Sequence, residues 1–299
     1  MKILITGATG FIGKHLIHSL LQKQYDLHVL IREESNNSSL NKHIKIFRHT
    51  DDDPQKLLDY CAQERFDGII HLASLFLASH QPNDIKNLIQ SNIQLGTELL
   101  EACKYAQISW FLNTGTFWQH YESDSYNPVN LYAASKEAFE TIAQYYTQTS
   151  NLIFTTIKLN DTFGPNDTRN KIFNLWQKIA LSQEPLEMSG GEQVIDISYI
   201  EDVIHAYELM IEHLSSSQSS KFNNRSFAVS SPERMSLRKL SKLYEKATGC
   251  TLPIYWGKRP YREREVMLPW ARGECVPGWQ PKYTLTQAIQ KTVMEQYND

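Results

Sequence analysis

A chain of 299 residues, 41% hydrophobic and 21% charged, can bury a substantial core, as one large α/β unit or as a major domain with a smaller partner. Its 30 basic side chains against 33 acidic ones give a net charge of -3 with no long basic run, which argues against a nucleic-acid partner. Cys61, Cys103, Cys250 and Cys275 form no C-x-x-C pair, the ten histidines lack metal-ligand spacing, and no stretch approaches the ~20 apolar residues of a bilayer span. No metal, no membrane and a reducing cytoplasm are therefore expected, and Met1 to Ile5 is too short an apolar run for a signal peptide.

The first element is the strand KILIT, which runs into TGATGFIG (Thr6 to Gly13) and a helix from about Lys14. Such a turn needs glycine where the backbone bends sharply and where it approaches a pyrophosphate, and the helix start supplies free N–H groups and a positive dipole end. Gly7, Gly10 and Gly13 occupy those positions, with Thr9, Phe11 and Ile12 beside them as further cofactor contacts. The spacing is G-x-x-G-x-x-G; between a strand and a helix it predicts a dinucleotide site. The alternative is a tight turn without a ligand.

The second strand, LHVLIR, ends on Arg32, where a dinucleotide site normally reads the ribose. A guanidinium suits a 2′-phosphate, so NADP(H) is preferred. If Arg32 points to solvent, Glu33 or Glu34 holds the ribose and NAD(H) is the cofactor. After IKIF, Asp51 is either an adenine contact or part of a helix start at DDDPQ. EESNNSSLNK (33 to 42) and, further on, SSSQSS (215 to 220) read as solvated loops.

GIIHLA, a helix around 85 to 105, SWFLNT, a helix from Tyr132 and IFTTIKLN continue the alternation. Near-continuous apolar strands alternating with helices predict an α/β fold, a Rossmann-type doubly wound parallel sheet. Beyond Gly164-Pro165 the pattern loosens into a helix from Lys171 to Leu181, a short strand near Val194 to Ile197 and a helix from Glu201. The expected division is a dinucleotide-binding domain over 1–165 with returning segments near 191–229. A smaller, interleaved C-terminal lobe, over 166–190 and 230–299, takes the substrate.

NLYAASKEAFE places Tyr132 and Lys136 four residues apart on one helical face. A free tyrosine titrates near ~10, and a lysine ammonium beside it stabilises the phenolate needed for proton transfer. Upstream, LNTGTFWQHY sets Thr114 and Thr116 at a strand end before Phe117 and Trp118.

Together TGATGFIG, HLA (71 to 73, with Leu72 and Ala73 facing the cofactor), Asn92, YAASK, FGP and PGWQP resemble an extended short-chain dehydrogenase/reductase, the group of nucleotide-sugar epimerases, dehydratases and reductases. The likeness spans nearly the whole chain. It implies that Thr114 binds the reacting oxygen beside Tyr132, with Lys136 also reaching the nicotinamide ribose and Phe117 and Trp118 walling the pocket. Thr116 is the second choice, and two strand-end threonines without a role the third. Asn92 either supports the active site or is a satisfied core asparagine.

Dehydratases of this group carry Asp-Glu after the threonine, whereas Gly115-Thr116 stands here, which disfavours dehydration. NTGTFWQHY, NPVNLYAASKEAFE and DTFGPND look particularly like the CDP-abequose and CDP-paratose synthase type, reductases of a C4 ketone on a nucleotide-linked deoxyhexose. That likeness implies NADPH hydride transfer in deoxysugar biosynthesis for surface polysaccharide such as O-antigen, in a homodimer formed by the helices around 85 to 105 and 132 to 149. Asp161 stands where many relatives have Asn, and Ile195 where an Arg commonly binds the diphosphate. Recognition then falls to Lys171, Arg259 or Arg262, each equally readable as a surface charge. The rivals are an epimerase that retains NAD, a non-catalytic NADP-sensing protein and a reductase of small free ketones.

Overall fold

A computed structural model describes residues 1–38, 40–50 and 53–296. In chain order the strands are β1 (Lys2–Thr6), β2 (Asp26–Arg32), β3 (Lys45–His49), β4 (Gly68–His71), β5 (Trp110–Thr116), β6 (Ile153–Leu159), β7 (Asp161–Phe163), β8 (Leu186–Met188), β9 (Val194–Ile195), β10 (Ile197–Tyr199), β11 (Arg225–Val229), β12 (Met235–Ser236) and β13 (Ile254–Trp256). The α-helices are α1 (Phe11–Gln22), α2 (Pro54–Glu64), α3 (Ile85–Ile89), α4 (Leu95–Ala106), α5 (Leu131–Thr149), α6 (Ile172–Ser182), α7 (Ile200–Leu214), α8 (Leu237–Thr248) and α9 (Leu285–Gln296).

Seven strands form one parallel sheet in the order β11-β6-β5-β4-β1-β2-β3. Along β1 the side chains alternate between two cores. Ile3 and Ile5 join α1 and α7 on one face, while Leu4 joins α2, α4 and α5 on the other. Both faces are thus dry, which is why these strands read as unbroken apolar runs. The chain winds outward from β1 to β3 and then returns to the other side of β1 at β4. The loops leaving β1 and β4 therefore part there, opening the crevice where doubly wound sheets take their ligands.

Three short sheets carry the second half: β10 beside β7, β13 beside β8, and β12 antiparallel to β9. The strand expected near Val194 to Ile197 is two, because the chain breaks at Asp196. That carboxylate is 1% exposed and turns in to accept hydrogen bonds from Ser230, the Ser231 N–H and Arg234. The helix expected over 85 to 105 is interrupted by a π-helical stretch, Gln90–Gln94, centred on Asn92. Helices α8 and α9 have no counterpart in the sequence reading; PGWQP sets up the second, since the Trp279 indole donates to the Asp202 carbonyl (2.8 Å) and Lys282 N–H to the Asp202 carboxylate (2.7 Å). Asp51 lies outside the described residues; α2 begins beyond it at Pro54. No helix among the described residues is long and apolar enough to cross a membrane.

Candidate active site

The glycine loop sits at the mouth of the β1/β4 crevice. Gly7 has φ +71°, and a Cβ there would lie 2.7 Å from the Ala73 nitrogen, so the two loops approach as closely as backbone allows. The Gly7 carbonyl accepts the Gly10 N–H at 3.0 Å, and a Cβ on Gly13 would fall 2.2 Å from the same oxygen. Gly10 caps α1 with no side-chain bond and the first turn holds no acidic residue, so the positive end of the helix is left to favour an anion there. Thr9 is half-buried in this turn, and Ile12 is half-buried in the first turn of α1. Phe11 lies under the Arg169 guanidinium, 4.2 Å from the ring centre. Arg169 was not singled out from sequence; Asp167 grips it through both carboxylate oxygens (2.7 and 2.8 Å).

Leu72 and Ala73 line the opposite wall, but their N–H groups are spent on the Thr6 carbonyl (3.3 Å) and hydroxyl (3.1 Å). They offer surface to a cofactor, not donors. Arg32 is 79% exposed at the end of β2 and pairs with Glu34 at 3.4 Å. Arg48 gathers the next turn, donating to the Glu33 carbonyl and to the Asn37 side chain.

Asn92 does not face the crevice. Its carbonyl oxygen accepts from Ser74 Oγ (3.1 Å) and Leu75 N–H (2.7 Å), and its amide donates to the Leu75 carbonyl and Ser135 Oγ (both 3.0 Å). All four bonding positions are used, which makes it a brace between the β4 loop and α5 and corrects its place among cofactor contacts. Asn130 adds a second brace: it caps α5 by accepting the Ala133 N–H and donates to the Leu77 and Ala78 carbonyls. These ties fix the helical turn that carries Tyr132.

Tyr132 and Lys136 stand together in the first turns of α5, Tyr132 half-buried and Lys136 1% exposed. Burial pushes the Tyr132 phenol up to about 12, against the opposing pull of the Ser74 and Thr116 hydroxyls. Burial also brings Lys136 down to about 8, with the Glu140 carboxylate one turn on acting the other way. At the Tyr132 phenol desolvation dominates, and the hydroxyls that pull towards phenolate are those of Ser74 and Thr116. His71 is fully buried behind them, bonded to Thr6 Oγ1 (2.8 Å) and held at about 3 first by burial and then by Lys136.

The two threonines divide differently from the expectation. Thr116 accepts the Trp118 N–H and lies against the Tyr132 oxygen, while the Thr114 hydroxyl meets the hydroxyl of Tyr207, on α7, at 2.6 Å. Pleating sends both side chains to one face, and the 3-10 turn Phe117–Gln119, capped by Thr116, carries the second one towards α5. Phe117, expected in the pocket, is 3% exposed and packs edge-on against Trp270. Trp118 and Phe76 meet at 5.4 Å, and Phe76 stands edge-on to Tyr132 at 5.1 Å, so the aromatic wall is Phe76 with Trp118. The Lys171 ammonium caps that wall, 4.6 Å over Phe76 and 2.7 Å from Asp161.

Arg259 and Arg262 are exposed, and among the described residues their hydrogen bonds are those of their backbone groups, to Met188 and Glu265. Arg264 crosses instead, donating to Asn127 (2.6 Å) and lying 4.2 Å over the Tyr121 ring. Of the residues that sequence reasoning missed, Asn130 carried a signal, a capping residue before a helix, whereas Ser74, Phe76 and Tyr207 carried none beyond their elements.

A glycine turn at the switch point of a doubly wound sheet, with a Tyr-Lys pair on the helix after β5, defines an extended short-chain dehydrogenase/reductase. The chain belongs to the NAD dependent epimerase/dehydratase family, whose model matches residues 3–224. Among curated proteins it is 27% identical over 270 residues to a CDP-abequose synthase of Yersinia pseudotuberculosis, covering 90% of this chain and 92% of that one. To a CDP-abequose synthase of Salmonella muenchen it is 25% identical, covering 97% and 96%. Among solved structures it superposes on the UDP-glucose 4-epimerase of Thermotoga maritima with a TM-score of 0.85 at 21% identity, covering 100% and 99%. The UDP-glucuronic acid 4-epimerase of Bacillus cereus, in complex with UDP-glucuronic acid and NAD, gives 0.84 at 22%, with the same coverage.

Proposed function

We propose that the protein is a nucleotide-sugar 4-ketoreductase: NADPH delivers hydride to the C4 ketone of a nucleotide-linked deoxyhexose, CDP-4-keto-3,6-dideoxyglucose or a close analogue. The observation that carries this reading is the placement of Tyr132: on the first turn of α5, edge-on to Phe76 and one helical turn before the buried Lys136, its phenol is set to give a proton to the alkoxide that ketone reduction forms. Bound nicotinamide supplies the hydride; the residues of the chain orient and protonate. Lys136 sets positive charge behind Tyr132, Ser74 and Thr116 receive the phenolate left after proton transfer, and Thr114 is a second hydroxyl for the developing oxyanion.

The reaction class follows from what surrounds the pair. A Cβ on Gly115 would meet Thr156, Gln119 and Lys158 at 2.8–2.9 Å, so the position where the resembling dehydratases carry an aspartate is closed. Phe76 and Trp118 present rings, not hydroxyl partners, to the sugar, which suits a ring stripped of oxygens. Lys171 is assigned to the diphosphate, a role supported by its ammonium standing over Phe76 beside Asp161. The relatives named CDP-abequose synthase support the sugar assignment, and the exposed Arg32 guanidinium at the end of β2, paired with the likewise exposed Glu34, supports NADPH only as a cation open to a 2′-phosphate. The exposed outer faces of α4 and α5, with Tyr105 and Tyr145 more than half exposed, support a homodimer. The free thiols suit a cytoplasmic setting, and the place of the reaction is deoxysugar biosynthesis for a surface polysaccharide such as O-antigen.

The test is NADPH and NADH oxidation by the purified protein with CDP-4-keto-3,6-dideoxyglucose and with dTDP- and GDP-linked 4-keto-6-deoxy sugars. NADPH-selective turnover on one of them, lost in Tyr132→Phe, is expected. No turnover on any, with NAD retained by the purified protein, overturns the reading in favour of an epimerase.

A further inference from the structure

Tyr207 lies on α7, on the side of the sheet opposite the helix that carries Tyr132, and nothing about its sequence context separates it from the apolar stripe of that helix. It is fully buried, and its hydroxyl meets the Thr114 hydroxyl at 2.6 Å. We propose that Tyr207 is a positioning residue that fixes Thr114 as a hydrogen-bond donor to the reacting oxygen. This inference rests on the ketoreductase reading above.

The argument is one of hydrogen counting. Each hydroxyl has a single hydrogen, and between two hydroxyls one donates and the other accepts. Among the described residues Thr114 is the only hydrogen-bond partner of the Tyr207 hydroxyl. Were Thr114 the donor, the Tyr207 hydrogen would be left buried without an acceptor, the arrangement that folded chains avoid. With Tyr207 as donor both groups are satisfied, because Thr114 is half-buried at the crevice and its own hydrogen is free to turn outward. Burial holds the Tyr207 phenol well above its ordinary range, so it keeps its proton at neutral pH.

Thr116 is placed differently: its hydroxyl faces Tyr132 itself. The site therefore carries two hydroxyls with separate tasks, Thr116 on the proton donor and Thr114 on the substrate oxygen. Tyr207 touches neither substrate nor cofactor and acts through Thr114. The contribution belongs to the transition state, where charge develops on the oxygen, so it appears in kcat more than in KM.

The experiment is a double-mutant cycle on the intact protein, reading NADPH oxidation with CDP-4-keto-3,6-dideoxyglucose, or with the 4-keto-6-deoxy sugar nucleotide that the unmodified protein turns over. Tyr207→Phe, which removes one oxygen, is expected to lower kcat roughly 3- to 10-fold with KM changed less than about 2-fold. In a Thr114→Val background the same substitution is expected to change kcat by less than about 2-fold, since the acceptor is gone. Thr114→Ser keeps the hydroxyl and is expected to retain the sensitivity to Tyr207→Phe. A purely structural role would lower activity to the same extent with or without Thr114, and that result overturns the proposal, as does an unchanged kcat in Tyr207→Phe. No turnover by the unmodified protein overturns the reaction and this role with it; turnover insensitive to Tyr207 overturns the role alone.

Discussion

Gly13→Ala is the sharpest test of the dinucleotide loop. The added methyl would sit 2.2 Å from the Gly7 carbonyl oxygen and 2.9 Å from the Ala8 Cα. Ordinary carbon contacts lie at ~3.5–4.0 Å, so either the loop or the first turn of α1 must move by more than ~1 Å. Both are backbone, and no rotamer change relieves the overlap. Overpacking of this kind costs about 1–3 kcal/mol. Displacing the oxygen also weakens the Gly10 N–H bond, about 0.5–1.5 kcal/mol more. The sum, about 1.5–4.5 kcal/mol, corresponds to a fall in Tm of roughly 3–18 °C at about 2–4 °C per kcal/mol. NADPH affinity is expected to weaken at least ~10-fold, about 1.4 kcal/mol, because the N–H groups aimed at the pyrophosphate move with the loop. Gly10→Ala is the comparison: its Cβ would lie 3.2 Å from the same oxygen, an overlap relieved by a few tenths of an ångström. Its cost is about 1 kcal/mol, mostly from a poorer helix cap. Thermal unfolding with and without NADPH, and a fluorescence titration of NADPH, read both variants. Equal losses in the two, or Gly13→Ala with unchanged affinity, would refute the account of the close approach.

Tyr132→Phe is expected to lower kcat by about 10²–10⁴-fold with Kd for NADPH little changed, measured by steady-state rates beside a cofactor titration. Reduction is expected to be level through neutral pH and to fall as pH rises past about 8, where Lys136 loses its proton, and a rate profile that rises there would contradict the assigned charge. Arg32→Ala is expected to weaken NADPH about 5- to 30-fold and NADH hardly at all, the modest size reflecting a side chain 79% exposed to screening solvent; equal weakening of both cofactors refutes the 2′-phosphate contact. His71, held at about 3 in the folded chain against an ordinary value near ~6.5, binds a proton in the unfolded state but not in the folded one between those limits. Its contribution is therefore whole above ~6.5 and declines as pH falls, by up to ~1.4 kcal/mol per pH unit; a His71→Asn variant whose stability falls as steeply between pH 6 and 4 would count against it.

Much of the framework was legible because local chemistry dictates it. The runs KILIT, GIIH and WFLNT are apolar on both pleats, a pattern that suits strands covered on two faces, and the glycine turn between β1 and α1 has few other uses. The Tyr132 and Lys136 spacing follows from one helical turn. By contrast the interruption of the helix around Asn92 was not legible, since a π-turn arises from the bonds that Asn92 makes to Leu75 and Ser135, residues far away in sequence. The same is true of Phe117 and Trp118: the sequence placed two aromatics at the strand end, and only the packing of Trp270 decided which was core and which was wall.

The sequence by itself determined the strands and helices of the central sheet's first half, the glycine turn and the spacing of Tyr132 and Lys136, because each is written in residues a few positions apart. Tertiary structure alone decided that Thr116 faces Tyr132 while Thr114 faces Tyr207, that Phe76 from the β4 loop completes the wall, and that Arg264, not Arg259 or Arg262, crosses to the loop that bears Asn127. A hydroxyl's partner depends on which of two hydroxyls or rings lies within 3 Å of it. That distance is set by how α5 and α7 close on opposite faces of the sheet, a property of the packed core and not of any local stretch of chain.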